Sequence, residues 1–180
     1  MLSVLQENIS KTELELINQY IQLIYHWNKT TNITSRHNSK EKLYEFICEA
    51  VAITKIIGVD KSVSIVDVGS GAGFPGMIFG ILGYQNTHLI EIRGKKAAFL
   101  QYVMAELRIK LTVHHCDVKN VKINSIDYIT SKAVTSTNEL LKLCKNIIQP
   151  QTKFILCKSE GNVEIMLADQ KYRFVLLAQH

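Results

Sequence analysis

Residues 65–76 read IVDVGSGAGFPG, and this stretch decides the fold. Its first four residues form a short β-branched run around Asp67, and glycines at every second position from Gly69 to Gly73 follow directly. The run predicts a buried strand, and the glycines allow a sharp turn and the close approach of a ligand to the backbone. Pro75 suits the first turn of a helix. We therefore predict a strand, a tight turn and a helix, with a ligand site at the carboxyl end of the strand.

The sequence after this stretch alternates short β-branched runs with helical segments, which is typical of a parallel α/β sheet. The predicted strands lie near residues 63–68, 88–91, 111–115, 126–130, 154–157 and 174–177. The predicted helices lie near residues 76–83, 95–107, 138–148 and 163–169. We therefore predict an α/β fold whose ligand site lies at the edge where the parallel strands end.

The sequence before this stretch has the signals of two helices. Ser10 and Glu13 have the spacing of a capping box, and apolar residues at helical spacing continue to about Trp27. Asn38 begins a second such pattern, and Gly58 suits its C-terminal end. We expect an N-terminal helical cap at residues 1–60 and a sheet core at residues 61–180, together forming one structural domain.

The length and charge agree with this division. The chain has 180 residues, the size of one domain, and a formal net charge of +5. Residues 1–60 carry a net charge of −1 and residues 61–180 a net charge of +6. The basic excess in the core is explained either by a polyanionic partner or by an ordinary solvated surface.

Composition also limits the cellular setting. No apolar run approaches the roughly 20 residues that a membrane helix needs, and the N-terminus lacks a secretory signal pattern. The four cysteines are far apart and have no partner at metal-ligand spacing, which argues against a disulfide framework or a structural metal. We expect a cytoplasmic protein with no membrane association and no metal.

Two ligands could use the glycine turn. Gly71, Gly73 and Gly76 match the dinucleotide spacing, in which a pyrophosphate meets a helix N-terminus. Asp67 would repel a pyrophosphate but would attract a sulfonium or an amino group. Glu91, eighteen residues after Gly73, could accept ribose hydroxyls in either case. These residues favour S-adenosylmethionine over NAD, and a turn without a ligand is the third reading.

Five blocks of sequence, in order, resemble the signature of one family. They are Trp27-Asn28 with Asn32 to Thr34, Asp67 to Gly76, Leu89 to Glu91 with Gly94 to Lys96, Asp127 to Val134, and Leu156 to Lys158. The chain thereby resembles the bacterial small-subunit ribosomal RNA guanine-N7 methyltransferases, the RsmG or GidB family. This resemblance implies a Rossmann-like methyltransferase sheet that uses S-adenosyl-L-methionine to methylate N7 of a guanosine in 16S ribosomal RNA.

The resemblance also implies a set of cofactor-binding residues. They are Gly69, Gly71, Gly73, Phe74, Glu91, Val118, Lys119 and Lys132. Within this set, Glu91 would hold the ribose, and Val118 with Lys119 would line the adenine pocket. Lys132 stands where the family has an arginine, so it keeps the charge but loses the planar fork.

Basic residues are the candidates for contact with RNA. They are Arg36, Arg93, Lys95 and Lys96, with His37 and Lys132 as further candidates. Each alone is more typical of a solvated surface, but together they favour a nucleic-acid partner. The resemblance implies that this partner is small-subunit ribosomal RNA or the assembling small subunit. The oligomeric state stays open, with a monomer favoured. Guanine N7 has a free lone pair, so we expect a positioning mechanism without a catalytic residue.

The chain departs from the family pattern at its C-terminus. It ends after what the pattern gives as the sixth strand, whereas the family's sheet has an antiparallel strand between the fifth and the sixth. We therefore expect this final antiparallel strand to be missing, which would leave strand edges unpaired. Two alternatives stay open: an impaired or non-catalytic RNA-binding relative, and an NAD-dependent reductase.

Overall fold

Two N-terminal helices pack on a twisted sheet in the computed structural model, which describes residues 8–35, 38–132, 135–157, 162–167 and 170–176. The helices are α1 (Lys11–Asn28) and α2 (Lys40–Ile57). Ser10 caps α1 through the predicted capping box: the backbone N–H of Glu13 donates to Ser10 Oγ at 3.2 Å, and Ser10 N–H donates to Glu13 Oε2 at 2.6 Å. This reciprocal pair satisfies two otherwise unpaired donors of the first turn.

Helix α2 begins one residue later than the sequence suggested. Its N-cap is Ser39, whose hydroxyl accepts the N–H of Lys42 at 3.2 Å. Asn38 instead donates its amide to Thr34 Oγ1 at 2.8 Å. The predicted end of the helix at Gly58 is confirmed, with a φ of +97° at that residue.

The described residues form seven strands in the order β3-β2-β1-β4-β5-β6-β7. The strands are β1 (Ile65–Val68), β2 (Thr87–Ile90), β3 (Thr112–His114), β4 (Tyr128–Lys132), β5 (Lys153–Cys157), β6 (Asn162–Leu167) and β7 (Gln170–Leu176). The first five are parallel, and β6 is antiparallel to both β5 and β7. The predicted α/β fold with a Rossmann-like sheet is therefore confirmed.

Two predictions for the C-terminal part of the sheet were wrong, whereas the strand predicted near residues 174–177 overlaps β7. The segment expected to be a helix at residues 163–169 is strand β6, and the antiparallel strand expected to be missing is present between β5 and the last strand. The segment forms a strand because its side chains alternate between the two faces of the sheet. Val163 is buried in the core on one face, and Glu164 is buried beside Leu156 on the other. A repeat of two residues is typical of a strand. The prediction failed because a run this short has a length compatible with either a strand or a helix.

Helices cover both faces of the sheet. They are α3 (Gly76–Ile81), α4 (Gly94–Leu107) and α5 (Thr137–Cys144), with a 3₁₀ turn at Val118–Asn120. Helices α1 to α4 share one hydrophobic core with Ile65 and Leu89. Helix α5 and the 3₁₀ turn share a second core with Val66 and Ile90. Because neighbouring strand residues face opposite sides, Asp67 points toward the core that contains the N-terminal helices.

None of the helices in the described ranges combines the length and the apolar character that a bilayer crossing requires. The division into a cap at residues 1–60 and a core at residues 61–180 stays a prediction.

Candidate functional site

The glycine turn joins β1 to α3 at the carboxyl edge of the sheet. The backbone N–H groups of Gly69 and Ser70 both donate to the carbonyl of Ile90, at 2.9 and 3.0 Å, which ties the turn to the end of β2. Gly71 and Gly73 have φ values of +57° and +100°. Residues with a side chain rarely adopt such backbone conformations, so the glycines determine the path of the turn.

The surroundings of Gly71 and Gly73 differ. A Cβ on Gly73 would lie 2.7 Å from the hydroxyl of Tyr20 and 2.9 Å from Met77 Cβ, so its space is already filled. A Cβ on Gly71 would come no closer than 3.7 Å to the carbonyl of Gly69 and 3.8 Å to Lys96 Nζ. The backbone at Gly71 thus leaves a cradle that a ligand can approach, beside a cationic side chain.

Asp67 lies under this turn and is almost completely buried. Its Oδ2 accepts the N–H of Gly76 at 3.2 Å, and its Oδ1 accepts the hydroxyl of Thr130 at 3.2 Å. Burial raises the pKa of Asp67 to about 6, and the nearby Glu91 charge contributes to the rise, while the hydrogen bonds oppose it. A carboxylate in this state gains from a cationic ligand, since a positive charge favours its ionised form.

The raised pKa predicts a pH-dependent stability. The folded protein holds the Asp67 proton up to about pH 6, whereas the unfolded chain releases it near pH 4. Between these values the folded state binds more protons, so the unfolding free energy falls as pH rises, by up to about 3 kcal/mol. We expect Asp67→Asn to remove this decline, measured by denaturant unfolding from pH 4 to pH 7.

The exposed Asp60 serves as the control for that experiment. Hydrogen bonds from the hydroxyl and the N–H of Ser62 lower the pKa of Asp60, so this group changes stability only below about pH 4, and Asp60→Asn should leave the decline between pH 4 and pH 7 in place. Parallel stability curves for the wild-type protein and Asp67→Asn would contradict the assignment of the raised pKa.

Glu91 follows β2 and anchors the turn, a role that the sequence did not reveal. It is 5% exposed, its Oε2 accepts the N–H of Gly71 at 2.8 Å, and its Oε1 accepts the N–H of Arg93 at 2.8 Å. Each carboxylate oxygen can accept a further hydrogen bond. Glu91 can therefore hold the turn and still accept hydroxyls from a ligand in the cradle.

Val118 and Lys119 lie in the 3₁₀ turn after β3. Val118 is buried in the second core, whereas Lys119 is exposed. Asp117 caps this turn, because its Oδ1 accepts the N–H of Lys119 at 2.9 Å. The N–H of Glu91 donates to the carbonyl of His114 at 3.0 Å, which aligns the ends of β2 and β3. The predicted adenine-pocket residues thus follow β3, which is adjacent to β2, the strand that precedes Glu91.

Three of the predicted RNA contacts lie at the start of α4. Arg93 and Lys95 are exposed at the start of α4, and Lys96 is half-buried beside the cradle at Gly71. Arg36, with the neighbouring His37, lies outside the described residues. The start of α4 therefore presents three cations along the rim of the turn.

Lys132, at the end of β4, makes an ion pair with Glu49 of α2. Its Nζ also lies 3.5 Å from the ring centroid of Phe46. Phe46 in turn contacts Phe74 of the glycine turn, with ring centroids 5.5 Å apart. The N-terminal helices thus bring Phe46 and Glu49 to the site, and local sequence patterns did not identify either residue as functional.

Tyr20 makes the other link between the N-terminal helices and the turn. Its hydroxyl donates to the carbonyl of Ala72, and its ring lies 5.4 Å from that of Phe74. Burial raises the pKa of Tyr20 well above its usual range, with a further contribution from Asp67, so the hydroxyl stays protonated and remains a donor. The helical spacing between Tyr20 and Trp27 suggested only core packing for Tyr20. Its hydrogen bond to Ala72 adds a second role, which is to hold the glycine turn.

The glycine turn and the side chains around it, at the carboxyl edge of the sheet, are suited to binding and orienting a ligand. A backbone cradle lies between the carboxylate of Glu91 and the ammonium of Lys96, above the buried carboxylate of Asp67. Carboxylates at the ends of β1 and β2 match the needs of a ligand with a positive centre and ribose hydroxyls.

Comparison with known proteins gives consistent matches. A sequence model of the GidB family, described as rRNA small subunit methyltransferase G, matches residues 13–179. The ribosomal RNA small subunit methyltransferase G of Wolinella succinogenes is 36% identical over 149 residues, which cover 82% of this chain and 76% of that protein. The protein of the same name from Rickettsia bellii is 31% identical over 182 residues, which cover 98% of this chain and 88% of that protein.

Solved structures support the fold. A putative S-adenosyl-L-methionine-dependent methyltransferase from Methanococcus maripaludis has a TM-score of 0.55 at 15% identity, over 83% of this chain and 65% of that one. A methyltransferase from Thiobacillus denitrificans, in complex with S-adenosyl-L-homocysteine, has a TM-score of 0.54 at 9% identity, over 77% and 58%. The chain thus spans less than two thirds of the length of these solved chains.

Proposed function

The chain belongs to the GidB family of rRNA small subunit methyltransferases, and on that premise we propose that it methylates N7 of a guanosine in small-subunit ribosomal RNA with S-adenosylmethionine. The observation that carries the proposal is the cradle at Gly71, which lies between Glu91 and Lys96 in a chain matched by the family over residues 13–179. The same cradle and its two carboxylates fit the cofactor.

The cofactor would be held by residues from four strand ends. They are Gly69, Gly71, Gly73 and Phe74 of the turn, Glu91 after β2, Val118 and Lys119 after β3, and Lys132 of β4. Glu91 would accept the ribose hydroxyls, and Asp67 would favour the positive charge from below the turn. When bound, S-adenosylmethionine supplies an electrophilic methyl group.

The remaining task of the protein is alignment. N7 of neutral guanine has a free lone pair, so the acceptor needs no general base. Correct placement of two reactants can supply several kcal/mol of rate acceleration, up to about 7–11 kcal/mol in ideal cases. A rigid turn, tied to β2 through Ile90 and to α1 through Tyr20, is suited to such placement.

The basic rim would contact the RNA. Arg93, Lys95 and Lys96 are placed to neutralise phosphates near the cradle, and Arg36 is a further candidate from the sequence. The partner would be small-subunit ribosomal RNA or the assembling small subunit, which places the reaction in the cytoplasm. A monomeric state stays a prediction.

The test is a methylation assay with site detection. Full-length protein and S-adenosylmethionine are incubated with small ribosomal subunits that lack the modification, and the RNA is then cleaved chemically at 7-methylguanosine. We expect one new cleavage band, absent when S-adenosylhomocysteine replaces the methyl donor. Naked ribosomal RNA, assayed in parallel, shows whether the assembled subunit is needed.

The possible negative results differ in meaning. Methyl incorporation without cleavage would mean that the protein is an rRNA methyltransferase but does not methylate N7 of guanosine. Cofactor binding without methylation of subunits or RNA would favour the impaired alternative, although the presence of β6 removes one reason for that alternative. Binding of NAD in place of S-adenosylmethionine would support the reductase and overturn the proposal.

A further inference from the structure

The ion pair between Lys132 and Glu49 lies next to the glycine turn. Ser131 is in register with Val68, and the Ser131 hydroxyl donates to the Val68 carbonyl at 3.1 Å. Lys132 therefore lies beside Gly69, because neighbouring strands are about 4.8 Å apart. The charge of Lys132 belongs to the same sheet edge as the cradle.

The pair is shielded from solvent. The side chains of Lys132 and Glu49 are only 19% and 17% exposed, and the ring of Phe46 covers the ammonium at 3.5 Å. Shielded charges are weakly screened by salt, so an uncompensated charge here would act strongly on a nearby ligand.

The charges of Lys132 and Glu49 have opposite effects on the pKa of the neighbouring Cys157 thiol. Cys157 is in register with Lys132 on β5, and its thiol is buried. Burial is the largest cause and raises the pKa of this thiol to about 12, while Lys132 lowers it and Glu49 raises it. Glu49 therefore offsets the field of Lys132 within the site.

We propose that Glu49 is a positioning residue that holds Lys132 against Phe46 and neutralises its charge, so that the glycine turn accepts a cationic ligand. The inference rests on the proposed function, which identifies that ligand as S-adenosylmethionine. The methyl donor carries one more positive charge than its product S-adenosylhomocysteine and otherwise has nearly the same shape. The pair thus sets the preference of the site between the donor and the product.

The test compares the affinities of the full-length protein for S-adenosylmethionine and S-adenosylhomocysteine by calorimetric titration. Glu49→Gln leaves the ammonium uncompensated, so the donor-to-product affinity ratio should fall roughly three- to tenfold. Lys132→Met leaves the carboxylate uncompensated, and the ratio should rise. The double variant should restore the wild-type ratio, and Lys132→Arg should retain it.

The matched control lies on the same helix. Glu45 pairs with Lys42 at 2.5 Å, and the two side chains are 45% and 49% exposed. Glu45→Gln should leave the ratio unchanged, because solvent screens this pair.

A purely structural role for Glu49 would lower both affinities by the same factor, and an unchanged ratio in Glu49→Gln would overturn the inference. If Glu49→Gln does not fold, Lys132→Met tests the inference instead. A donor-to-product affinity ratio at or below that of the wild-type protein would then overturn the inference. Failure of the wild-type protein to bind either ligand would instead reject the proposed function.

Discussion

Replacement of Gly73 by alanine is expected to lower the unfolding free energy by about 2–4 kcal/mol and to weaken cofactor binding. The φ of +100° strains any side chain, and the new methyl group would lie 2.7 Å from the Tyr20 hydroxyl and 2.9 Å from Met77 Cβ. Tyr20 cannot move aside without losing its hydrogen bond to Ala72. Chemical denaturation and cofactor titration measure the two effects.

The control for Gly73→Ala is Gly58→Ala. Gly58 has a similar φ of +97°, but nothing lies within 4 Å of the position that a Cβ would occupy. This substitution should carry only the backbone strain, about 1–3 kcal/mol for a conformation that is essentially restricted to glycine, and should leave cofactor affinity unchanged. Equal losses of stability in the two variants would mean that the crowding at Gly73 has no energetic weight.

Removal of the Glu91 carboxylate by Glu91→Ala is expected to weaken S-adenosylmethionine binding by about 1–3 kcal/mol, or roughly 5- to 150-fold. The variant loses the predicted acceptor for the ribose hydroxyls. It also leaves the N–H groups of Gly71 and Arg93 without the acceptor that now holds the turn. Calorimetric titration measures the change, and unchanged affinity would show that the ribose is held elsewhere.

Asp127 provides the matched control for Glu91. Its Oδ2 accepts the N–H of Ser64 at 2.7 Å, so it also bonds the backbone, but it precedes β4 and lies at the opposite edge of the sheet. Asp127→Ala should lower stability without changing cofactor affinity. A loss of affinity in both variants would indicate a general loosening of the sheet.

The sequence predicted the features that local patterns determine. The β1 strand, the turn at Gly69 to Gly73 and the capping box at Ser10 each depend on residues that are close in the chain. The shift of a cap from Asn38 to Ser39 shows the limit of such patterns, since both residue types cap helices well. Strand β6 was mistaken for a helix because a short apolar run suits either structure.

The contacts that complete the site lie beyond the range of local patterns. Tyr20 contacts Ala72 across 52 positions of the chain, and Lys132 contacts Glu49 across 83. Tyr20 and Phe46 have helical spacing typical of a core, so their periodicity alone gave no sign of a role at the turn. The fold had to bring α1 and α2 onto the glycine turn before these roles could be identified.

The position of β1 between β2 and β4 has a consequence for biosynthesis. The hydroxyl of Thr130, which donates to the Asp67 carboxylate, is 63 residues further along the chain. At about 5–20 residues per second, translation reaches it roughly 3–12 s after Asp67. During that interval one edge of β1 lacks its partner, and an unpaired edge invites association with other chains. The nascent protein therefore completes its ligand site late, and the first half of the chain alone cannot form it.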